Sequence, residues 1–341
     1  MKNGTRWGRR IGQGLLTLVA ALVVSMVPGQ GVLAHYKPDG YNTWVPSATS
    51  NSHTYTKVTY TIDNPYVEAT EYDVTIANSG ALTLTVVPNK TGSPSVNCWE
   101  VMITDASNEN TVFASSKVLG NSTGTVLGPV GLRKGSYHII VRAMNVTGVS
   151  WVKDQDGFQL KGEFNINSGT STGDNYEEED NGEYRKATEI LDGISKETIQ
   201  GSSFDPSGKK HDWDYYAFEL EEDADVTLNV KRDKIASTYT GNIWRLALLD
   251  EDLSEIQGKN GKVLKFGKSS SVYENKYNLN KGTYYVRLEV IENAGAAEVE
   301  AYYSLTVEAE TEELEKMTQS PDGDIVMGKK DTRVLSVSYP V

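Results

Sequence analysis

The 341-residue sequence predicts an all-β chain: two tandem antiparallel β-sandwiches of jelly-roll-like build, placed after a signal peptide. Three observations predict it. First, short runs alternate apolar and polar residues, as in ALTLTV at Ala81–Val86 and YYSLTV at Tyr302–Val307, which is the period of a half-buried strand. Turn formers such as Asn78-Ser79-Gly80, Pro88-Asn89 and Lys134-Gly135 separate them, and no stretch carries a helical stripe. Second, the pattern occurs twice. Ala81–Val86 matches Asp225–Val230, WEVMITD from Trp99 matches WRLALLD from Trp244, and Lys134-Gly135-Ser136-Tyr137 matches Lys281-Gly282-Thr283-Tyr284, at offsets of 144, 145 and 147 residues. A spacing this constant means two copies of one fold. Third, tyrosine is abundant (19) and phenylalanine scarce (6), as suits strand faces where a ring packs and a hydroxyl stays wet.

Taken in order, residues 1–34 read as the signal peptide. Lys2, Arg6, Arg9 and Arg10 form a basic start, Leu15–Val27 is apolar, and Val32-Leu33-Ala34 offers a cleavage site before His35. The expected location is extracellular or the cell surface, with no transmembrane span after signal cleavage. Residues 35–57, rich in Ser, Thr, Asn, Tyr and Pro, read as an extended, partly flexible segment. The first sandwich is expected over 58–166, with strands at Val74–Ile76, Ala81–Val87, Trp99–Thr104, Thr111–Ala114, Ser136–Ala143 and Gly157–Phe164. Residues 167–176 form a linker of Asn, Ser, Gly and Thr. The second sandwich, 177–309, opens on an acidic run and continues through strands near Thr198–Ser202, Asp214–Leu220, Val226–Lys231, Ile243–Leu249, Tyr273–Leu279, Thr283–Ile291 and Ala301–Glu308. The tail, 310–341, carries short apolar runs at Ile325-Val326 and Leu335–Ser338 that resemble the start of a bacterial Ig-like domain.

Charge narrows the function. The net charge is −13, and residues 171–341 alone carry −15. Such an acidic half argues against nucleic acid as a partner and permits cation binding. The single cysteine, Cys98, excludes an intrachain disulfide and reads as a buried thiol beside Trp99.

The catalytic candidates are weak. Gly120-Asn121-Ser122-Thr123-Gly124 has the spacing of a nucleophile elbow, but that chemistry needs a helix after the serine, and Gly128-Pro129 follows closely. This stretch reads as a loop. The four histidines, His35, His53, His138 and His211, show no metal-binding spacing, and His138 reads as a face residue of a strand. Asp154-x-Asp156-Gly157 lacks the later glutamate of a calcium loop and reads as a turn. In Lys281-Gly282-Thr283-Tyr284-Tyr285 the glycine supplies a turn, and one tyrosine is expected to pack inward. No residue is assigned a catalytic role, and the chain reads as a non-enzyme.

The second block carries a family likeness. EEDNGEYRKAT, ending at Thr188, is followed by DWDYYAF at Asp212–Phe218, the Trp244 strand, KGTYYVRLEV at Lys281–Val290 and YYSLTV at Tyr302–Val307. This order resembles the bacterial pre-peptidase C-terminal domain family, which includes the collagen-binding modules of clostridial collagenases. The first block resembles it less and lacks the acidic run. The resemblance implies a non-catalytic β-sandwich that holds calcium in the second sandwich only. Glu177, Glu179 and Asn181 fall on the family's ligand positions, Gly182 stands where a further Asp is expected, Asp214 fits the later loop and Asp212 lies beside it. The expected function is a secreted or cell-surface binding or adhesion protein whose partner is an extracellular protein or polysaccharide. The alternative is a pair of accessory modules of an exported peptidase or other hydrolase.

Overall fold

The computed structural model describes residues 43–55, 69–89, 96–144, 157–191, 195–202, 213–232, 242, 244–267, 272–290, 302–311, 318–319, 325–328 and 334–337. The expected signal peptide (residues 1–34), His35, His211, Asp212 and the expected turn at Asp154–Asp156 lie outside the described residues.

Nine strands come first: β1 (Thr43–Trp44), β2 (Ser52–Thr54), β3 (Ala69–Ile76), β4 (Gly80–Pro88), β5 (Asn97–Asp105), β6 (Val112–Leu119), β7 (Thr125–Leu132), β8 (Gly135–Ala143) and β9 (Phe158–Ile166). They form one sheet in the order β1-β3-β8-β5-β6 and another in the order β2-β9-β4-β7. The next nine are β10 (Thr188–Glu189), β11 (Lys196–Ser202), β12 (Trp213–Leu220), β13 (Ala224–Arg232), β14 (Trp244–Leu249), β15 (Val263–Phe266), β16 (Val272–Leu279), β17 (Gly282–Val290) and β18 (Tyr302–Thr311). Their sheets run β10-β12-β17-β14-β15 and β11-β18-β13-β16. The two topologies are identical strand for strand. Even the two parallel pairings correspond: β1 with β3, and β10 with β12.

Alternation builds each core. Leu82, Leu84 and Val86 of β4 turn inward to meet Tyr72, Val74, Trp99, Val101 and Ile103 of the opposite sheet. In the second copy Val226, Leu228 and Val230 meet Tyr216, Phe218, Trp244, Leu246 and Leu248. Trp99 is 1% exposed and Trp244 0%. Each packs against an aromatic ring of the final strand, Trp99 on Phe158 at 5.4 Å and Trp244 on Tyr303 at 5.3 Å. The register agrees as well. Trp99 pairs with Ala143, six residues beyond Tyr137, and Trp244 pairs with Val290, six beyond Tyr284. Each of those tyrosines turns back on its own approach: Tyr137 Oη donates to Arg133 O and Tyr284 Oη to Asn280 O, both at 2.8 Å. Tyr284 is therefore the inward ring of the Lys-Gly-Thr-Tyr-Tyr run.

Some strands differ from the sequence reading. The 35–57 segment supplies β1 and β2, and buries Trp44 and Tyr55 in the first core. β3 begins at Ala69 rather than Val74. β7, which contains Gly128-Pro129, was not expected. It lies at a sheet edge, where proline's missing N–H costs no ladder bond. The pairing with β4 bulges between Leu82 and Leu84. Gly128 sits there at φ +107°, with Leu82 O only 2.5 Å from where a Cβ would stand, so glycine suits this position.

The Gly120–Gly124 stretch joins β6 to β7, so strands flank it on both sides. Ser122 Oγ accepts from Gly124 N at 3.1 Å and shares a bond with Thr125 Oγ1 at 3.2 Å. That is a tight turn with no helix after the serine. Cys98 is buried, and its thiol donates to Val96 O at 2.9 Å. In the tail, β19 (Thr318–Gln319), β20 (Ile325–Gly328) and β21 (Val334–Val337) form a separate antiparallel sheet. Among the described residues no helix is long and apolar enough to cross a membrane.

Candidate cation site at the joint

The acidic run lies between the two sandwiches and is stitched to both. On one side Tyr176 bridges to Gln200, and Glu177 N donates to Gln200 O at 2.9 Å. On the other, Leu132 of β7 bridges to Glu179, whose N–H donates to Gly131 O at 3.2 Å. An extended backbone puts alternate side chains on the same side, so Glu177 and Glu179 share a direction while Glu178 turns away to Arg133 at 3.7 Å. Strand β12 supplies the third carboxylate by the same rule. Trp213 and Tyr215 face outward, and Asp214 points inward with Tyr216 and Phe218. Tyr215 N donates to Asn181 O at 3.0 Å, fixing the run against β12.

The structure thus brings together four of the five expected residues. Glu177, Glu179 and Asp214 each offer an oxygen within 4.8 Å of the others. Asn181 is wholly buried beside them; its amide reaches Thr188 Oγ1 at 3.5 Å, and its Oδ1 has no partner among the described residues. Asp212 lies outside the described residues.

Glu177 is the best-bonded member. Its Oε1 accepts from Ser202 N at 2.7 Å and Ser202 Oγ at 3.3 Å, and its Oε2 from Tyr216 Oη and Tyr303 Oη, each at 3.1 Å. Tyr303 Oη also lies 2.6 Å from Asp214 Oδ2. A phenol has one proton to give, so Glu177 and Asp214 compete for that of Tyr303, and Asp214 is the nearer. Burial pushes Glu177 up to about 7, with the four hydrogen bonds pulling the other way. Glu179 is pushed well above the usual carboxylate range, first by burial and then by the charges of Glu177 and Asp214. Burial raises the Tyr216 and Tyr303 phenols as well, so both stay protonated donors. Among the described residues no lysine or arginine pairs with Glu177 or Glu179.

The residues fit a hard cation. Oxygens of Glu179, Asp214 and Asn181 come from two separate segments, with Glu177 beside them, and calcium takes six to eight oxygen ligands at flexible geometry. The tyrosine donors were not foreseen. Tyr216 and Tyr303 sit at inward strand positions that read as ordinary core, and the one signal was that a hydroxyl stands there in place of phenylalanine.

Beside this site lies an outer face of different character. Trp213 is 40% exposed, and the Arg287 guanidinium lies 5.5 Å from its ring centroid. Arg287 and Arg245 both reach Glu255, at 3.1 and 3.0 Å, and both pair with Glu289. Tyr285 meets Tyr184 edge-on at 5.8 Å on the same face.

No known protein-family model matches this chain, and no curated protein matches it. Among solved structures, it is similar to the pre-peptidase C-terminal domain of a collagenase from Bacillus anthracis, at 19% identity over 36% of this chain and 94% of that one, TM-score 0.25. It is similar to the CUB1-EGF-CUB2 domains of rat MASP-1, at 11% identity over 80% of this chain and 100% of that one, TM-score 0.22. A fucolectin from striped bass serum matches at 10% identity over 76% and 85%, TM-score 0.20. The fold described above rests on strand order and register.

Proposed function

We propose that the chain is an exported, non-catalytic binding or adhesion protein, with calcium held in its second sandwich by Glu179, Asp214 and Asn181 beside Glu177. Its target is an extracellular polymer, either a matrix protein or a polysaccharide. The observation that carries this reading is the outer face of β12 and β17. An exposed indole, Trp213, has the Arg287 guanidinium over its ring, 5.5 Å from the centroid, and arginines and carboxylates on the same face are already paired with one another. An indole with a cation over its ring offers a flat apolar platform on its exposed surface. Sugar rings and proline-rich or aromatic protein segments are the partners such a platform suits. The order of sequence motifs shared with the pre-peptidase C-terminal family supports the same reading.

The test is retention of the purified chain on insoluble collagen, peptidoglycan, cellulose and chitin in the presence of calcium. Retention on at least one is expected. Trp213→Ala should weaken that retention by about 2 kcal/mol, roughly thirtyfold, as truncation of a central aromatic does. Passage through all four without retention would overturn the proposal.

A further inference from the structure

We propose that the first sandwich carries a metal site of its own, made by Glu71, Glu109 and His138 and suited to zinc or a similar late first-row divalent ion. The site is separate from the acidic cluster in the second sandwich and does not depend on it. Three segments distant in sequence build it. Strand β8 places His138 directly opposite Asp73 of β3 and Thr104 of β5, so these side chains share the outer face of the sheet. Glu71, two residues before Asp73, shares that face and is 97% buried. Glu109 arrives from the turn after β5, which Asp105 shapes by accepting from Ser107 N and Ser107 Oγ at 2.6 and 2.5 Å and from Asn108 N at 3.2 Å.

The geometry around His138 is that of a ligand. Its Nδ1 lies 3.4 Å from Glu71 Oε1 and 3.5 Å from Glu109 Oε1, and hydrogen-bonds to neither. A tetrahedral ion with bonds of about 2.0–2.2 Å holds its ligand atoms roughly 3.3–3.6 Å apart. The other nitrogen, Nε2, faces Asp73 Oδ1 at 3.3 Å. A metal-bound histidine turns its second N–H to a carboxylate in this manner, which sets the tautomer and leaves the first nitrogen's lone pair for the metal. An independent observation points the same way. Thr104 is 0% exposed, stands opposite His138, and its hydroxyl has no partner among the described residues. A buried hydroxyl left so is costly, and its register opposite His138 puts it on the same face of the sheet as the three ligand-type residues. One imidazole with two carboxylates selects zinc-like ions over calcium, which prefers oxygen alone.

The experiment uses the full chain, stripped with chelator and returned to buffer containing millimolar calcium, so that oxygen-only sites are filled by the harder ion. Cobalt(II) is added as a spectroscopic probe and then displaced with zinc. One equivalent of cobalt should produce the visible absorption of a nitrogen- and oxygen-bound ion, lost on adding zinc. His138→Gln and Glu71→Gln should abolish it, and Asp73→Asn should weaken zinc affinity by about tenfold to a hundredfold, as loss of a partner to a metal-bound histidine does. Glu109→Gln, in an exposed loop, should also weaken it and serves where a strand variant fails to fold. Zinc uptake equal in the parent chain, His138→Gln and Glu109→Gln would overturn the proposal. So would the absence of any cobalt band.

Discussion

Glu177 lies within hydrogen-bond reach of two tyrosines and a serine, and burial still outweighs them and pushes it up to about 7. Its folded value, about 7, lies above its ordinary 4.5, and Glu179 is displaced in the same direction. Proton uptake therefore favours the folded state. The stability that comes with it is fully present below about pH 4.5 and is lost as pH rises through about 7. Calcium reverses the sign, because the ion binds the carboxylates and not the acids. With chelator, the melting temperature should fall between about pH 5 and 7.5. With millimolar calcium it should hold or rise over the same span, since a ligand at a hundred times its Kd adds about 2.7 kcal/mol. Glu179→Gln should remove most of the difference between the two curves. Superposed curves for the parent chain at pH 7.5 would show that no calcium is held here.

At the scale of the strand, the two copies agree most closely at β5 with β8 and at β14 with β17, where the tryptophan and the tyrosine sit six rungs apart. Equivalent substitutions should then cost alike. Trp99→Ala and Trp244→Ala should each destabilise their own sandwich by about 3–5 kcal/mol. Tyr137→Phe and Tyr284→Phe, each losing one bond to the preceding turn, should cost about 0.5–1.5 kcal/mol. Denaturant unfolding measures both pairs, and a difference above about 2 kcal/mol within a pair would break the equivalence. These strands were legible in the sequence because each alternates cleanly under a recurring motif. Strand β7 was not, since its Gly128-Pro129 enters the ladder only as a bulge, two residues of β7 opposite Thr83 of β4. The same contrast holds for the two clusters of ligand-type residues. Glu177, Glu179 and Asn181 lie in one acidic run and declare themselves together. Glu71, Glu109 and His138 carry no spacing at all, because antiparallel pairing between β3, β5 and β8, and not chain proximity, assembles them.

For the whole molecule, the acidic run sets how one sandwich sits on the other. Arg133 pairs with Glu178 and also donates to Lys186 O, and Tyr302 Oη of β18 donates to Gly128 O of β7 at 2.6 Å. Gly131 lies beneath the run so closely that a Cβ there would stand 2.0 Å from Glu177 O. Gly131→Ala should lift the run from the first sandwich without entering either core. Small-angle scattering should report a larger radius of gyration, while each sandwich keeps its own unfolding transition. An unchanged radius would mean that this contact does not govern the posture of the pair.

In each sandwich the first three-residue-or-longer strand pairs with the last, and antiparallel: the start of β2 meets the end of β9, and the start of β11 meets the end of β18. The chain thus leaves each sandwich beside the point where that strand began. Such a unit hangs from the chain like a bead from a stalk. It can be doubled, lifted out or inserted elsewhere without rethreading anything around it, and the stretch between β9 and β10, residues 167–187, suffices to hang a second bead beside the first.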